Sequence, residues 1–132
     1  MKFQFLFTIL LLSAWMTGCK KNKITDSMKP VITVAEPTPG DTIVASVDPE
    51  VHVEFTVNDQ QGLHTLAITL VRNATDTLLT VQPAVMDKTV YPFHTHLNLT
   101  GVTGLQTLQL FLRAENHSSL VSTQEITFYA QP

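Results

Sequence analysis

Cysteine is almost missing from this chain: among 132 residues there is one, Cys19. A single thiol excludes an intrachain disulfide framework and any cysteine-rich zinc site. Tryptophan also occurs once, as Trp15 inside an apolar N-terminal stretch, so the region downstream offers no indole. Basic residues thin out in the same way. From Pro30 onward only Arg72, Lys88 and Arg113 remain against ten acids, a net −7 hidden inside the overall −3. Such a surface repels phosphate backbones, which argues against nucleic acid as a partner. Phosphate-cradling glycine loops, a Gly-x-Ser-x-Gly elbow and a nucleophilic cysteine are absent as well. Serines, histidines and acids occur, but no spacing groups them into a Ser-His-Asp set, so a hydrolase ranks last among the readings. The chain is read as noncatalytic, with no obligatory cofactor.

What is present begins at the N-terminus. Lys2 precedes an apolar run, Phe3-Gln4-Phe5-Leu6-Phe7-Thr8-Ile9-Leu10-Leu11-Leu12, and small residues lead to the cysteine in Met16-Thr17-Gly18-Cys19. The run is of signal-peptide length and short of the roughly 20 apolar residues that span a bilayer. It resembles the bacterial lipobox, with Met16 where leucine is more usual. That resemblance implies cleavage of a signal peptide over residues 1–18, acylation of Cys19 and a lipid anchor in the bacterial cell envelope, with the outer membrane as the expected site. Residues 19–29 then form a polar tether carrying Lys20, Lys21, Lys23 and Lys29. Near anionic headgroups each lysine contributes on the order of 1 kcal/mol. The Lys20-Lys21-Asn22-Lys23 run lacks the acids that accompany surface export in some Gram-negative groups, and leaves periplasmic and surface faces both open.

Residues 30–132 read as one domain of short segments with period-two alternation, separated by turn residues. Strands are expected over residues 31–34, 42–46 (an edge continuation of the first), 50–58, 63–72, 78–82, 93–99, 107–114 and 121–130. The clearest sets Val51, Val53, Phe55 and Val57 against His52, Glu54 and Thr56. About seven strands in some hundred residues predict an all-β fold, an antiparallel β-sandwich, with a small barrel as the alternative. Alternation of this kind belongs to sheets with one buried and one wet face.

Two stretches carry a family resemblance. Val57-Asn58-Asp59-Gln60-Gln61-Gly62-Leu63 is similar to the turn between the second and third strands of bacterial Ig-like modules. Leu110-Phe111-Leu112-Arg113-Ala114-Glu115-Asn116-His117-Ser118-Ser119 is similar to their sixth strand and following loop, with Asn116 where an aspartate is usual. The chain resembles single Ig-like-domain lipoproteins of Gram-negative gut-type bacteria, most of unknown function. The resemblance implies an Ig-like sandwich over residues 30–132. With Asn116 in place of the usual carboxylate, the loop lacks a charged oxygen donor that a Ca²⁺ site would use.

Two kinds of ligand are weighed for such an envelope module. The first is a partner protein or glycan, and a glycan platform favours exposed aromatics. Of Phe55, Tyr91, Phe93, Phe111, Phe128 and Tyr129, alternation leaves Tyr91, Phe111 and Tyr129 for that role. The second ligand is a metal. All five histidines lie beyond residue 50, and His94-Thr95-His96 sets two imidazoles on one strand face. Imidazole is the commonest transition-metal donor at neutral pH. In Ig-like topology, His64, His94, His96 and His117 are expected to gather at one pole as a Zn²⁺ or Cu²⁺ site, with Asp59, Asp87 and Glu115 near and His52 at the opposite pole.

Overall fold

The computed structural model describes residues 28–132. The signal segment, Cys19 and the tether up to residue 27 lie outside the described residues. Eight strands follow in order: β1 (Val31–Glu36), β2 (Thr42–Val44), β3 (Glu50–Asn58), β4 (Leu63–Arg72), β5 (Asp76–Val81), β6 (Val90–Asn98), β7 (Gln106–Asn116) and β8 (Val121–Gln131). They form a three-stranded sheet, β1-β3-β6, packed on a five-stranded sheet, β2-β8-β7-β4-β5. Every pairing is antiparallel except β2 on β8. The protein is an all-β sandwich, as expected. β2 makes the eighth strand, because the chain crosses after Glu36 to the other sheet rather than prolonging β1.

The alternation in the sequence becomes the sandwich core. Val51, Val53, Phe55 and Val57 of β3 are buried, and they meet Leu66, Ile68 and Leu70 of β4. Leu108, Leu110, Leu112 and Ala114 of β7, with Ile126, Phe128 and Ala130 of β8, complete the layer. Phe55 stacks on Phe93 of β6 with ring centroids 5.1 Å apart. Burying each large apolar side chain contributes roughly 1.5–3 kcal/mol. This layer holds the two sheets together without a disulfide.

One pole is closed by a polar clamp. The Asp59 side chain, 6% exposed, accepts from the Gln61 amide at 2.9 Å and from Asn116 Nδ2 at 3.0 Å. Asn116 Nδ2 also donates to the Met28 carbonyl at 3.1 Å, while its Oδ1 accepts from the Ser118 and Leu120 amides, each at 3.0 Å. The β3–β4 turn, the β7–β8 loop and the entry of the chain are thereby joined. Gly62 belongs to the same pole: its φ is +100°, and a Cβ there would meet the Asp87 backbone at 3.2 Å. Only glycine combines that dihedral with so close an approach.

β6 departs from the sequence expectation. It begins at Val90, three residues before Phe93, and runs through Pro92. Proline donates no ladder hydrogen bond, which normally ends a strand. β6 lies at the edge of its sheet and tolerates it.

Candidate metal centre

The outer face of the three-stranded sheet carries an unusual concentration of acids and imidazoles. On β3 the solvent-facing positions are Glu50, His52 and Glu54, and on β6 they are His94 and His96. The β3–β6 register sets Glu54 beside His94 and His52 beside His96. Directly opposed side chains in an antiparallel pair stand about 5 Å apart at Cβ, close enough for their end groups to meet. On the other side of β3, an irregularity between Val34 and Glu36 lets Glu36 pair with Glu54 and turn its carboxylate outward.

These residues form a continuous string. Glu36 Oε2 lies 3.4 Å from His52 Nδ1, and His52 Nε2 lies 3.7 Å from Glu50 Oε2. The same Glu50 oxygen is 3.1 Å from His96 Nδ1, and His96 Nε2 is 2.9 Å from His94 Nε2. In that last contact one imidazole donates its N–H and the other accepts. The His52 and His96 rings lie 4.0 Å apart. Among the described residues, Glu50, His52 and His96 are the one group of three or more His, Cys, Asp or Glu whose donor atoms all fall within 4.8 Å of one another.

The arrangement has the features of a transition-metal site. Ligands at 2.0–2.2 Å from a tetrahedral ion lie about 3.3–3.6 Å from each other. The 3.1 and 3.7 Å separations from Glu50 Oε2 bracket that range. Metal-binding imidazoles usually have their second nitrogen held by a neighbouring group, which fixes the ring. Here Glu36 stands behind His52 and His94 behind His96. The three side chains are 37–44% exposed, so the face opposite the sheet is open to solvent.

The expected gathering of His64, His94, His96 and His117 at one pole does not form. His64 and His117 are neighbours, with ring centroids 5.5 Å apart, and His117 Nε2 lies 2.8 Å from Asp87 Oδ1. Both sit at the pole of the Asp59–Asn116 clamp. His94 and His96 lie away from it. Because β6 starts opposite Asn58, His96 is six register steps along the strand, about 20 Å from that pole. There it joins His52, which was expected at the far end alone. Of the aromatics considered for an exposed role, Phe111 is open, 38% exposed on the outer face of the five-stranded sheet, and Tyr91 and Tyr129 are half-buried.

Sequence reasoning placed His94 and His96 on one face but missed His52, Glu50 and Glu36. A signal for two of them existed: Glu50 and His52 share the wet face of the clearest strand, with the same i, i+2 spacing as His94 and His96. Neither a scan against protein-family models nor a search of curated proteins finds a match to this chain.

Proposed function

We propose that this chain is a noncatalytic, membrane-tethered β-sandwich of the bacterial envelope whose ligand is a divalent transition metal, Zn²⁺ or Cu²⁺. The observation that carries the reading is the Glu50–His52–His96 group, three donors of the right type all within 4.8 Å of one another, with Glu36 and His94 bracing the two imidazoles. The donor set is two nitrogens and one oxygen, which suits Zn²⁺ and Cu²⁺ better than the all-oxygen preference of Ca²⁺ or Mg²⁺. The lipobox-like Gly18-Cys19 supplies the tether, and the −7 balance of the folded region favours cations over anionic partners. Equilibrium dialysis of the purified protein against Zn²⁺ or Cu²⁺ tests the reading. One ion per chain is expected, reduced to background by His52→Ala or His96→Ala. Retention of the ion by both variants would place it elsewhere.

A further inference from the structure

The two histidines outside the string on the three-stranded sheet stand together at the other pole. His64 occupies the irregularity between Leu63 and Thr65 where β4 pairs with β7, and His117 follows the last residue of β7. Their ring centroids are 5.5 Å apart, and the His117 amide donates to the Gly62 carbonyl at 3.4 Å. The segment before β6 closes on the same spot. The Asp87 amide donates to the Leu63 carbonyl and the Leu63 amide to the Lys88 carbonyl, both at 2.9 Å, which lays Met86 and Asp87 alongside Leu63 and His64. Asp87 has a φ of +64°, and its Oδ1 lies 2.8 Å from His117 Nε2. Aspartate is among the few side-chain-bearing residues enriched in that left-handed conformation. Next to the buried Val85, Met86 is turned out, 53% exposed, and with His64 and Glu115 it lines a surface cleft of about 570 Å³.

These side chains have the chemistry of a soft-metal site. The Asp87 carboxylate accepts the N–H of His117 Nε2, which leaves the ring's lone pair on Nδ1. Metal-binding imidazoles are commonly held from behind by a carboxylate in this way. With each nitrogen about 2.0 Å from an ion and each ring centre about 1.1 Å further out, centroids 5.5 Å apart subtend about 120° at the ion. That is a trigonal angle with room for one further donor, and the thioether beside His64 can supply it. Carboxylates do not converge here. Asp87 is engaged with His117, and among the described residues the one group of three or more His, Cys, Asp or Glu with donor atoms within 4.8 Å is that of Glu50. A neutral set of two imidazoles and a thioether suits the soft ion Cu⁺, whereas Zn²⁺ favours a fourth donor and is better served on β3 and β6.

We propose that His64, His117 and Met86 form a second metal site, which binds Cu⁺ through two imidazole nitrogens and a thioether sulfur while Asp87 holds the His117 ring. The three lone pairs replace water on the ion, and no oxidation state changes. The site does not depend on the Glu50–His52–His96 group, and its test keeps the two apart. The full chain is purified in detergent micelles and chloride-free buffer, with Cys19→Ala throughout so that no thiol competes. It is titrated with Ag⁺ as a redox-inert probe, and separately with Cu⁺ kept reduced by ascorbate. Expected are one ion per chain, a shift of the Met86 methyl resonance, and no displacement of Ag⁺ by Zn²⁺. His96→Ala is expected to bind as wild type does, and His64→Ala or His117→Ala to fall to background. Met86→Leu is expected to weaken affinity by about tenfold or more, at least what loss of a supporting group costs. Loss of the ion in His96→Ala with retention in His64→Ala would move it to the three-stranded sheet and overturn the site. So would a Met86→Leu variant that binds as tightly as wild type, or a chain that takes up neither ion. Circular dichroism of each variant checks that the sandwich is intact.

Discussion

Replacing Asn116 by aspartate changes one atom for another of equal size and restores the residue more usual in the resembled Ig-like loop, yet it is expected to destabilise this protein severely. Asn116 is 1% exposed, and its Nδ2 donates to Asp59 Oδ2 at 3.0 Å and to the Met28 carbonyl at 3.1 Å. Asn116→Asp removes both donors and sets a carboxylate oxygen against each acceptor. A hydrogen bond to a charged group contributes about 1.5–3 kcal/mol, and that to Asp59 is lost. Two carboxylates at this separation repel by about 4 kcal/mol or more at an effective dielectric of 20, part of which relaxes by movement or protonation. The expected loss is about 4–6 kcal/mol at neutral pH, against a total stability of roughly 5–15 kcal/mol for a domain. Urea denaturation followed by circular dichroism measures it. Gln60→Glu, in the exposed part of the β3–β4 turn, adds the same charge and is expected to change stability by less than about 0.5 kcal/mol. If Asn116→Asp unfolds within about 1 kcal/mol of wild type, the clamp and the charge argument are both refuted.

Other outcomes follow from the same structure. Leu110→Ala, at a side chain with no exposure, should cost roughly 2–5 kcal/mol in the same denaturation assay, while Thr69→Ala on the outer face of β4 should cost little. Equal costs would mean the inward faces are misassigned. Cys19→Ala should move the protein from the membrane fraction to the soluble fraction after cell lysis, and unchanged fractionation would contradict the lipid anchor. Calorimetry with Zn²⁺ should show binding abolished by His96→Ala but preserved in the double substitution of His64 and His117 by Ala, since those two rings stand at the other pole. The reverse pattern would relocate the site.

Much of the fold was legible because a sheet with one buried face writes its period into the chain. β3 and β4 match the expected residues 50–58 and 63–72 at both ends, each bounded by turn residues. β5 and β6 were read short at their starts. In β6 the cause is Pro92, whose missing N–H ordinarily marks the end of a strand and is harmless only because the strand is an edge. That three-residue difference moves His94 to mid-strand, opposite Glu54, and His96 towards the far end, opposite His52. The partnership of His52 with His96 depends on the register between strands 32 residues apart at Asn58 and Val90, which no local pattern encodes. The role of Asn116 was hidden for a related reason. A residue at a strand end that caps two amides and grips Asp59 looks, in sequence, like any other turn asparagine.

On the proposed reading, one transition-metal ion sits on the outer face of the three-stranded sheet. Crystals grown with Zn²⁺, measured on both sides of the zinc absorption edge, locate the ion directly. One strong anomalous peak per chain is expected, about 2.0–2.2 Å from Glu50 Oε2, His52 Nε2 and His96 Nδ1. A map with no peak there, or with its main peak between His64, His117 and Asp87, would contradict it.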